Sequence, residues 1–241
     1  MICAMTSMSI SNPEISTVEN ESELIDRLLA LQGASVLELG CGKAEKTRLI
    51  ARRAASVLAL EVDEIQLAVN RAITDLVNVR FGHGGAQMIP AVDASFDVVL
   101  MFKSLHHVPI SLMDDAFSEM HRVLKPGGIA YISEPVFAGD FNDVLRLFHD
   151  EQLVREHAFA AVQRAASSGQ FKLIKQVFFA QAMHFASFDA FENQVINVTH
   201  TDHRLSSSLL NQVRSRFEQH MTADGAYFEM PIRVDILQKI S

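Results

Sequence analysis

Short, continuous runs of apolar residues alternate along the first 135 positions with stretches whose apolar residues recur every three or four positions. The continuous runs are typical of strands buried on both faces, and the longer period is typical of amphipathic helices. Strands that alternate with helices indicate an α/β protein with a parallel sheet. The pattern predicts strands at 35–39, 56–62, 78–81, 96–102 and 129–133, and helices at 43–54, 64–75 and 111–124.

The pattern changes after Pro135. Two stretches there favour strands, and two have helical periodicity. Neither a repeat nor a low-complexity linker divides the chain, so we expect a single domain over residues 1–241. The predicted later elements are one long helix or two over 140–167, a strand from Phe171 to about His184, two helical pieces over 187–221 and a last strand over 227–239.

An N-terminal helix is predicted from the spacing of Ser16 and Glu19, which is that of a capping box. Leu24, Ile25 and Leu28 would form its apolar face, and Gly33 would end it.

Composition narrows the class of protein. The net charge is −8 and no lysine or arginine run occurs, so we do not expect a nucleic-acid partner. The sequence contains no stretch of about 18 apolar residues, so no membrane span is predicted. The two cysteines, Cys3 and Cys41, make no disulfide framework, and the first residues do not resemble a signal peptide, so we expect a cytoplasmic protein.

The most informative stretch is the turn from Glu38 to Ala44, where an apolar strand ends in an acid and glycines follow at alternate positions. Glycine lets backbone approach a ligand closely, and the start of a helix offers free N–H groups. Glu61 ends the next strand about 20 residues later, and its carboxylate is suited to accept hydrogen bonds from both ribose hydroxyls. Asp63 is the alternative for that role.

The turn does not match a dinucleotide fingerprint, because no third glycine follows Gly42 in the required register. Glu38 would repel a pyrophosphate but tolerate a cationic or amino group. The pattern therefore favours a nucleoside that carries an amino-acid tail.

Together with motifs farther along the chain, this turn makes the first 135 residues resemble a class I S-adenosylmethionine-dependent methyltransferase. The resemblance implies a doubly wound, mostly parallel, seven-stranded Rossmann-like sheet with helical insertions covering the site. It divides the chain into a cap helix within 1–30, a cofactor-binding core at 31–135, and acceptor-site helices and last strands at 136–241. The motifs that carry it are Val36-Leu37-Glu38-Leu39-Gly40-Cys41-Gly42, Glu61, Phe96-Asp97-Val98-Val99, Leu105-His106-His107-Val108 and Arg122-Val123-Leu124-Lys125-Pro126-Gly127-Gly128.

The resemblance also implies roles for individual residues around S-adenosylmethionine. Two positions depart from the family pattern: Ala44 replaces the usual third glycine, and Gly85 replaces an acid that commonly meets the adenine. The implied contacts are Glu38, Gly40, Cys41 and Gly42 to the methionine part, Glu61 to the ribose, Gly85, Ala86 and Gln87 to the adenine, and Phe102 to His107, including Lys103, to the sulfonium and the methyl acceptor.

Several polar residues have both a chemical and a structural interpretation. His106 and His107 are the catalytic candidates, as general base or acceptor-orienting groups, but one of them could simply pack. Glu134 either reaches the acceptor or only ends its strand, and we interpret Lys103 as structural or solvent-facing because an ammonium would disfavour a neighbouring sulfonium. His200, Asp202 and His203 are too few to specify a metal ion, so the sequence predicts no metal.

The predicted function is transfer of a methyl group from S-adenosylmethionine to an O, N or C nucleophile of a small molecule. One alternative is a cofactor-binding but inactive domain that works through a partner, and another is a nicotinamide oxidoreductase. The oligomeric state is not predicted.

Overall fold

A computed structural model describes residues 8–15, 17–198, 201 and 203–240. The described residues form one eight-stranded sheet. Its strands are β1 (Ser35–Leu39), β2 (Ser56–Glu61), β3 (Val79–His83), β4 (Phe96–Phe102), β5 (Leu124–Pro135), β6 (Phe171–Phe185), β7 (Met221–Thr222) and β8 (Gly225–Lys239). The helices are α1 (Glu21–Leu28), α2 (Glu45–Ala51), α3 (Glu64–Arg71), α4 (Met113–Val123), α5 (Asp140–Leu145), α6 (Gln152–Ser167), α7 (Phe188–Phe191) and α8 (Ser207–Glu218).

The sheet order is β3-β2-β1-β4-β5-β8-β6, with the two-residue strand β7 paired to β8. The first five strands are parallel, while β8 and β6 are antiparallel to their neighbours. This confirms the predicted doubly wound, mostly parallel sheet. The seven predicted strands are present, and the two-residue β7 adds an eighth. Strand order reverses between β1 and β4, and a ligand of such a sheet binds beside the carboxyl ends of the strands at that point.

The elements form close to where the apolar pattern places them, except that β5 begins at Leu124, five residues before the predicted start of that strand. β1, β2 and β4 are buried almost throughout, and the buried residues separate into one core cluster on each face of the sheet. Asp63 caps α3 by accepting from the backbone N–H groups of Ile65 and Gln66. None of the helices formed by the described residues combines the length and the apolarity needed to cross a membrane.

The N-terminal helix begins later than the capping box predicts. Asn20 is its N-cap and accepts from the backbone N–H of Ser22. Ser16 lies outside the described residues, whereas Val18 forms a parallel bridge with Ala180 and Glu19 donates its backbone N–H to the Ala180 carbonyl. Pairing with the edge strand β6 therefore replaces the expected cap.

The stretch 140–167 is two helices, α5 and α6, separated by 146–151. Farther along, α7 continues into a π-helical turn over Glu192–Ile196 before α8 begins, so the two predicted helical pieces are present. Part of the loop between them, including His200 and Asp202, lies outside the described residues. The break between α5 and α6 matters for the site, because it carries acidic and histidine side chains toward β4.

Candidate active site

The glycine turn is held against the loop that follows β4. Gly40 and Gly42 have φ angles of 76° and 48°, in the left-handed region that glycine tolerates. A Cβ on Gly40 would lie 2.7 Å from the Cβ of Ser104, whose hydroxyl donates to the Leu39 carbonyl at 2.8 Å. Ala44 also has a left-handed φ, of 61°, which explains why glycine is usual there.

Glu61 is buried and bonded into this turn. Its carboxylate accepts from the backbone N–H of Gly42 at 2.8 Å, Val62 at 2.8 Å and Asp63 at 3.0 Å. The two segments that the sequence assigns to one cofactor are therefore in direct contact. The Asp63 side chain caps α3, so its oxygen already serves the helix, and Glu61 is the better candidate for the ribose.

Glu38 is buried beneath the turn and accepts a hydrogen bond from the Thr47 hydroxyl at 2.6 Å. Burial raises the pKa of Glu38 to about 8, because the ionised carboxylate loses its hydration, while the Thr47 hydrogen bond and Lys46 oppose the shift. The side chain therefore holds a proton through much of the neutral range.

Cys41 is a packing residue of the turn. Asn70 donates to its Sγ at 3.5 Å and to the Gly42 carbonyl at 2.7 Å. Burial, with smaller effects of Glu38 and Glu61, raises the pKa of the Cys41 thiol to about 12, so the thiol is a poor nucleophile. Asn70 is a buried support that the sequence pattern did not reveal.

The segment expected beside the adenine follows β3. Gly85 forms an isolated bridge with Met88, and the Gln87 side chain folds back over Gly85 so closely that a Cβ there would meet its amide at 2.6 Å. Ala86 is buried in a core cluster. A side chain at position 85 and the observed Gln87 conformation therefore exclude each other.

Two residues at the end of β4 have unusual surroundings. Lys103 has a left-handed φ of 53°, rare for a residue with a side chain, and its ammonium donates to Gln181 on β6 at 2.7 Å. Burial lowers the pKa of Lys103, which agrees with the structural interpretation rather than the solvent-facing one. The Phe102 ring packs against Tyr131, and the Lys46 ammonium lies 5.8 Å from its centroid.

His106 and His107 follow β4 and have different environments. His106 is buried, with Nδ1 2.5 Å from Glu134 and Nε2 3.4 Å from Glu151. Burial alone would lower the pKa of His106, but the two carboxylates raise it to about 9. His107 is exposed, and its ring centroid lies 4.1 Å from that of His106.

Of the other members of this cluster, Glu134 is the strand-end acid already noted in the sequence, whereas Glu151 and its partners were not recognised there. Glu134 accepts the Leu105 backbone N–H at 2.9 Å, and Glu151 accepts from Arg155 at 2.5 Å and from His149 at 2.9 Å. Burial opposes ionisation of Glu151, but His106 and Arg155 lower its pKa well below the usual range. The four-residue spacing of Glu151 and Arg155 on a helix was the available signal, and it is also common on solvated helix faces.

The N-terminal helix α1 contacts β5 and α2 through one acidic side chain. Glu21 is buried, accepts from the Ser133 and Tyr131 hydroxyls, and lies 3.2 Å from the Lys46 ammonium. This cap helix was expected from the sequence, but its buried acid was not.

Comparisons with known proteins agree with this geometry. Residues 36–128 match a family model described as a methyltransferase domain. A probable S-adenosylmethionine-dependent methyltransferase of Mycolicibacterium smegmatis is 39% identical over 126 residues, which is 50% of this chain and 47% of that protein. A demethylmenaquinone methyltransferase of Staphylococcus epidermidis is 37% identical over 107 residues, 43% of this chain and 44% of that protein. The chain thus spans about half the length of these relatives.

Solved structures show the likeness of the fold over nearly the whole chain. The YcgJ protein of Bacillus subtilis has a TM-score of 0.66 at 16% identity, covering 91% of this chain and 98% of that one. A putative methyltransferase of Bacillus halodurans has a TM-score of 0.66 at 17% identity, covering 92% and 99%.

The sheet order, the glycine turn and the strand-end acid define a doubly wound α/β protein with a glycine turn and an acid at the carboxyl ends of its parallel strands. The matched domain and the relatives are similar to this chain over about half of its length, and this similarity supports a class I S-adenosylmethionine-dependent methyltransferase. The cofactor of this family is S-adenosyl-L-methionine. The residues present fit it, since backbone N–H groups fill three of about four acceptor positions of the Glu61 carboxylate and no described atom beyond its chain neighbours lies within 4 Å of the place where a Cβ on Gly42 would lie.

Proposed function

We propose that this protein transfers the methyl group of S-adenosylmethionine to an O, N or C nucleophile of a small molecule. The observation that carries the proposal is the direct hydrogen bond between the Glu61 carboxylate and the Gly42 backbone N–H, which joins the ribose candidate to the glycine turn. Beside this turn, the loop after β4 supplies residues that can surround an acceptor. Alignment of acceptor and methyl group could then provide much of the acceleration.

The roles of individual residues are part of the proposal. Glu38, Gly40, Cys41 and Gly42 would surround the methionine part, with Phe102 and Lys103 near the sulfonium, while Gly85, Ala86 and Gln87 flank the adenine. His106 is buried whereas His107 is exposed, so among the two histidines His107 is the better candidate to meet the acceptor directly. A cytoplasmic location is also proposed, supported by Cys41, which is a buried free thiol.

The names of the relatives do not decide which kind of atom accepts the methyl group. Their names include a ubiquinone/menaquinone biosynthesis C-methyltransferase of Legionella pneumophila and a ubiquinone biosynthesis O-methyltransferase of Pseudomonas paraeruginosa. Similarity to both supports a small-molecule acceptor and does not favour carbon over oxygen.

An inactive cofactor-binding domain is the second candidate. One fold neighbour, with a TM-score of 0.59 and 20% identity, is named the [4+2]-cyclase SpnF, so this fold also occurs in a protein named for another reaction. Another comes from a complex of the Haloferax volcanii Trm112 methyltransferase activator with a putative methyltransferase. These neighbours support testing for turnover separately from binding.

Turnover is tested with S-adenosylmethionine labelled on its methyl group. The full chain is incubated with the labelled cofactor and a fractionated small-molecule extract, with heat-inactivated protein as control. We expect label in a small-molecule fraction together with formation of S-adenosylhomocysteine. Cofactor binding without transfer to any fraction would favour the inactive domain, and preferential binding of a nicotinamide dinucleotide in calorimetry would reject the proposal.

Replacing Glu61 tests the ribose assignment. The Glu61 carboxylate has about four acceptor positions, three of which serve backbone N–H groups, so a ribose would take the fourth and compete for another. We expect Glu61→Gln to weaken S-adenosylmethionine binding by about 1.5–3 kcal/mol, the range for hydrogen bonds to a charged group. Calorimetric titration measures the affinity.

Two variants make the Glu61 experiment selective. Glu64→Gln changes an exposed carboxylate nearby and is expected to bind normally. Asp63→Asn keeps a side chain able to cap α3 but removes the charge of the rival residue. If Asp63→Asn loses more affinity for S-adenosylmethionine than Glu61→Gln does, the ribose contact is assigned to Asp63 instead.

A further inference from the structure

Three side chains with metal-ligating atoms meet beside the loop that follows β4. His106, His107 and Glu151 each present one donor atom, and these atoms all lie within 4.8 Å of one another. The loop leads from Ser104, whose hydroxyl donates to the Leu39 carbonyl of the glycine turn. The group therefore lies at the carboxyl end of the sheet, on the side where the acceptor would enter.

The contact between His106 and Glu151 has the spacing of two ligands rather than of a strong hydrogen bond. Their nearest atoms, Nε2 and Oε1, are 3.4 Å apart. A charge-assisted hydrogen bond of this type is usually about 2.7–2.9 Å long. Two ligands about 2.1 Å from one tetrahedral or octahedral ion are separated by about 3.0–3.4 Å.

The side chains behind the donors fit the same interpretation. Glu134 lies 2.5 Å from Nδ1 of His106, an arrangement that fixes the ring and turns Nε2 toward Glu151. Histidine ligands of metals usually donate their other N–H to a carboxylate or carbonyl in this way. Arg155 holds the second oxygen of Glu151 at 2.5 Å, leaving Oε1 to face the histidines.

The donor set selects the kind of ion. Two imidazoles and one carboxylate suit divalent first-row transition metals such as Zn²⁺ and Fe²⁺, whereas Mg²⁺ prefers oxygen ligands and water. Three protein ligands leave positions open for a further ligand, as in catalytic rather than structural sites. His149 lies 2.9 Å from the same Glu151 oxygen and is the neighbouring imidazole that could join the set.

We propose that His106, His107 and Glu151 bind one divalent first-row transition-metal ion at the edge of the sheet beside the glycine turn. The site itself does not depend on methyl transfer. Its role does rest on the proposed function: the open positions of the ion would hold an oxygen of the methyl acceptor next to the cofactor. An acceptor bearing a hydroxyl or carboxylate oxygen is the substrate class that follows.

The site is tested by metal binding to the full, untagged chain after removal of metals with a chelator. Zn²⁺ and Mg²⁺ are titrated by calorimetry in the absence of cofactor, and bound metal is counted by mass spectrometry. We expect one Zn²⁺ per chain with micromolar or tighter affinity, and no comparable Mg²⁺ binding. Co²⁺ should give visible absorption bands that Zn²⁺ abolishes.

Variants assign the binding to these residues. His107→Ala, at the surface, and Glu151→Gln, in the interior, are each expected to weaken Zn²⁺ binding at least tenfold. His83→Ala, which removes an exposed histidine at the end of β3, should bind like the wild type. If Glu151→Gln does not fold, as judged by circular dichroism, His107→Ala still decides the question.

Two results would overturn the proposal. One is an absence of stoichiometric Zn²⁺ binding, which leaves His106 as a protonated link between two carboxylates. The other is Zn²⁺ binding that is equal in the wild type and His107→Ala, which places the ion elsewhere. The labelled-cofactor assay measures methyl transfer independently of these titrations. Failure of the metal site can therefore be distinguished from failure of methyl transfer.

Discussion

Gly33 and Gly40 have nearly the same left-handed φ, 74° and 76°, but different neighbours. A Cβ on Gly33 would meet nothing within 4 Å, whereas one on Gly40 would lie 2.7 Å from the Ser104 Cβ. Gly33→Ala should therefore carry the conformational penalty alone, about 1–2 kcal/mol. Gly40→Ala should lose about 1–3 kcal/mol more, because the loop after β4 must move.

Urea unfolding of the two glycine variants measures this difference. The comparison separates the close approach of the turn and the β4 loop from the backbone angle that both glycines share. Equal free energies of unfolding would mean that the turn and the loop separate easily, and that their contact does not fix the site.

Glu38 predicts how stability depends on pH. Its pKa is about 8 in the folded protein against an ordinary value of 4.5, so between these values the native state keeps a proton that the unfolded chain has released. Stability contributed at this position is thus lost as pH rises, by about 1.4 kcal/mol per pH unit. Between pH 5 and pH 8 the wild type should lose about 4 kcal/mol more than Glu38→Gln.

Urea denaturation at pH 5, 6.5 and 8 checks the effect. The amide oxygen of Glu38→Gln can still accept from Thr47, so packing is largely preserved. Glu64→Gln, whose side chain is exposed, should follow the wild-type curve. Parallel curves for all three proteins would show that Glu38 ionises normally in the folded state.

At the scale of elements, the break between α5 and α6 is the feature with most consequence for the site. A continuous helix over 140–167 would carry its side chains along one axis. The turn at 146–151 instead brings Glu151 to His106, which lies more than 40 positions earlier in the chain, and His149 contacts the same Glu151. Arg155, in the first turn of α6, then forms an ion pair with Glu151.

The elements after Pro135 form an aromatic cluster on one face of the sheet. Phenylalanines of α5, α7, α8, β6 and β8 contact one another with ring centroids 5.0–6.4 Å apart. Edge-to-face and offset contacts of this kind stabilise beyond the area they bury. The members are Phe141, Phe185, Phe188, Phe191, Phe217 and Phe228.

At the scale of the whole molecule, the last strand joins the two parts of the chain. β8 is paired with β5 of the cofactor-binding core on one side and with β6 on the other. Its side chains contribute to the core on both faces of the sheet. The segment that resembles the family most clearly therefore shares one sheet with the segment that resembles it least.

Local pattern was sufficient for β1 to β4, for the second half of β5 and for the position of the glycine turn. Burial on both faces requires continuous apolar residues, and a left-handed turn favours glycine, so both features leave a signal in adjacent positions. The sequence also predicted that Glu61 lies near the glycine turn, because parallel strands bring their carboxyl ends to one edge of the sheet. The N-terminal cap was misplaced because pairing of Val18 with Ala180 outweighed the local capping preference.

The sequence by itself determined the parallel core, the glycine turn and the acid that faces it, since each depends on residues within one strand and its following loop. Tertiary structure alone decided that β8 lies between β5 and β6 and that Glu134 and Glu151 enclose His106. Those arrangements arise from packing between distant segments. Periodicity records whether a residue is buried and not which residue buries it.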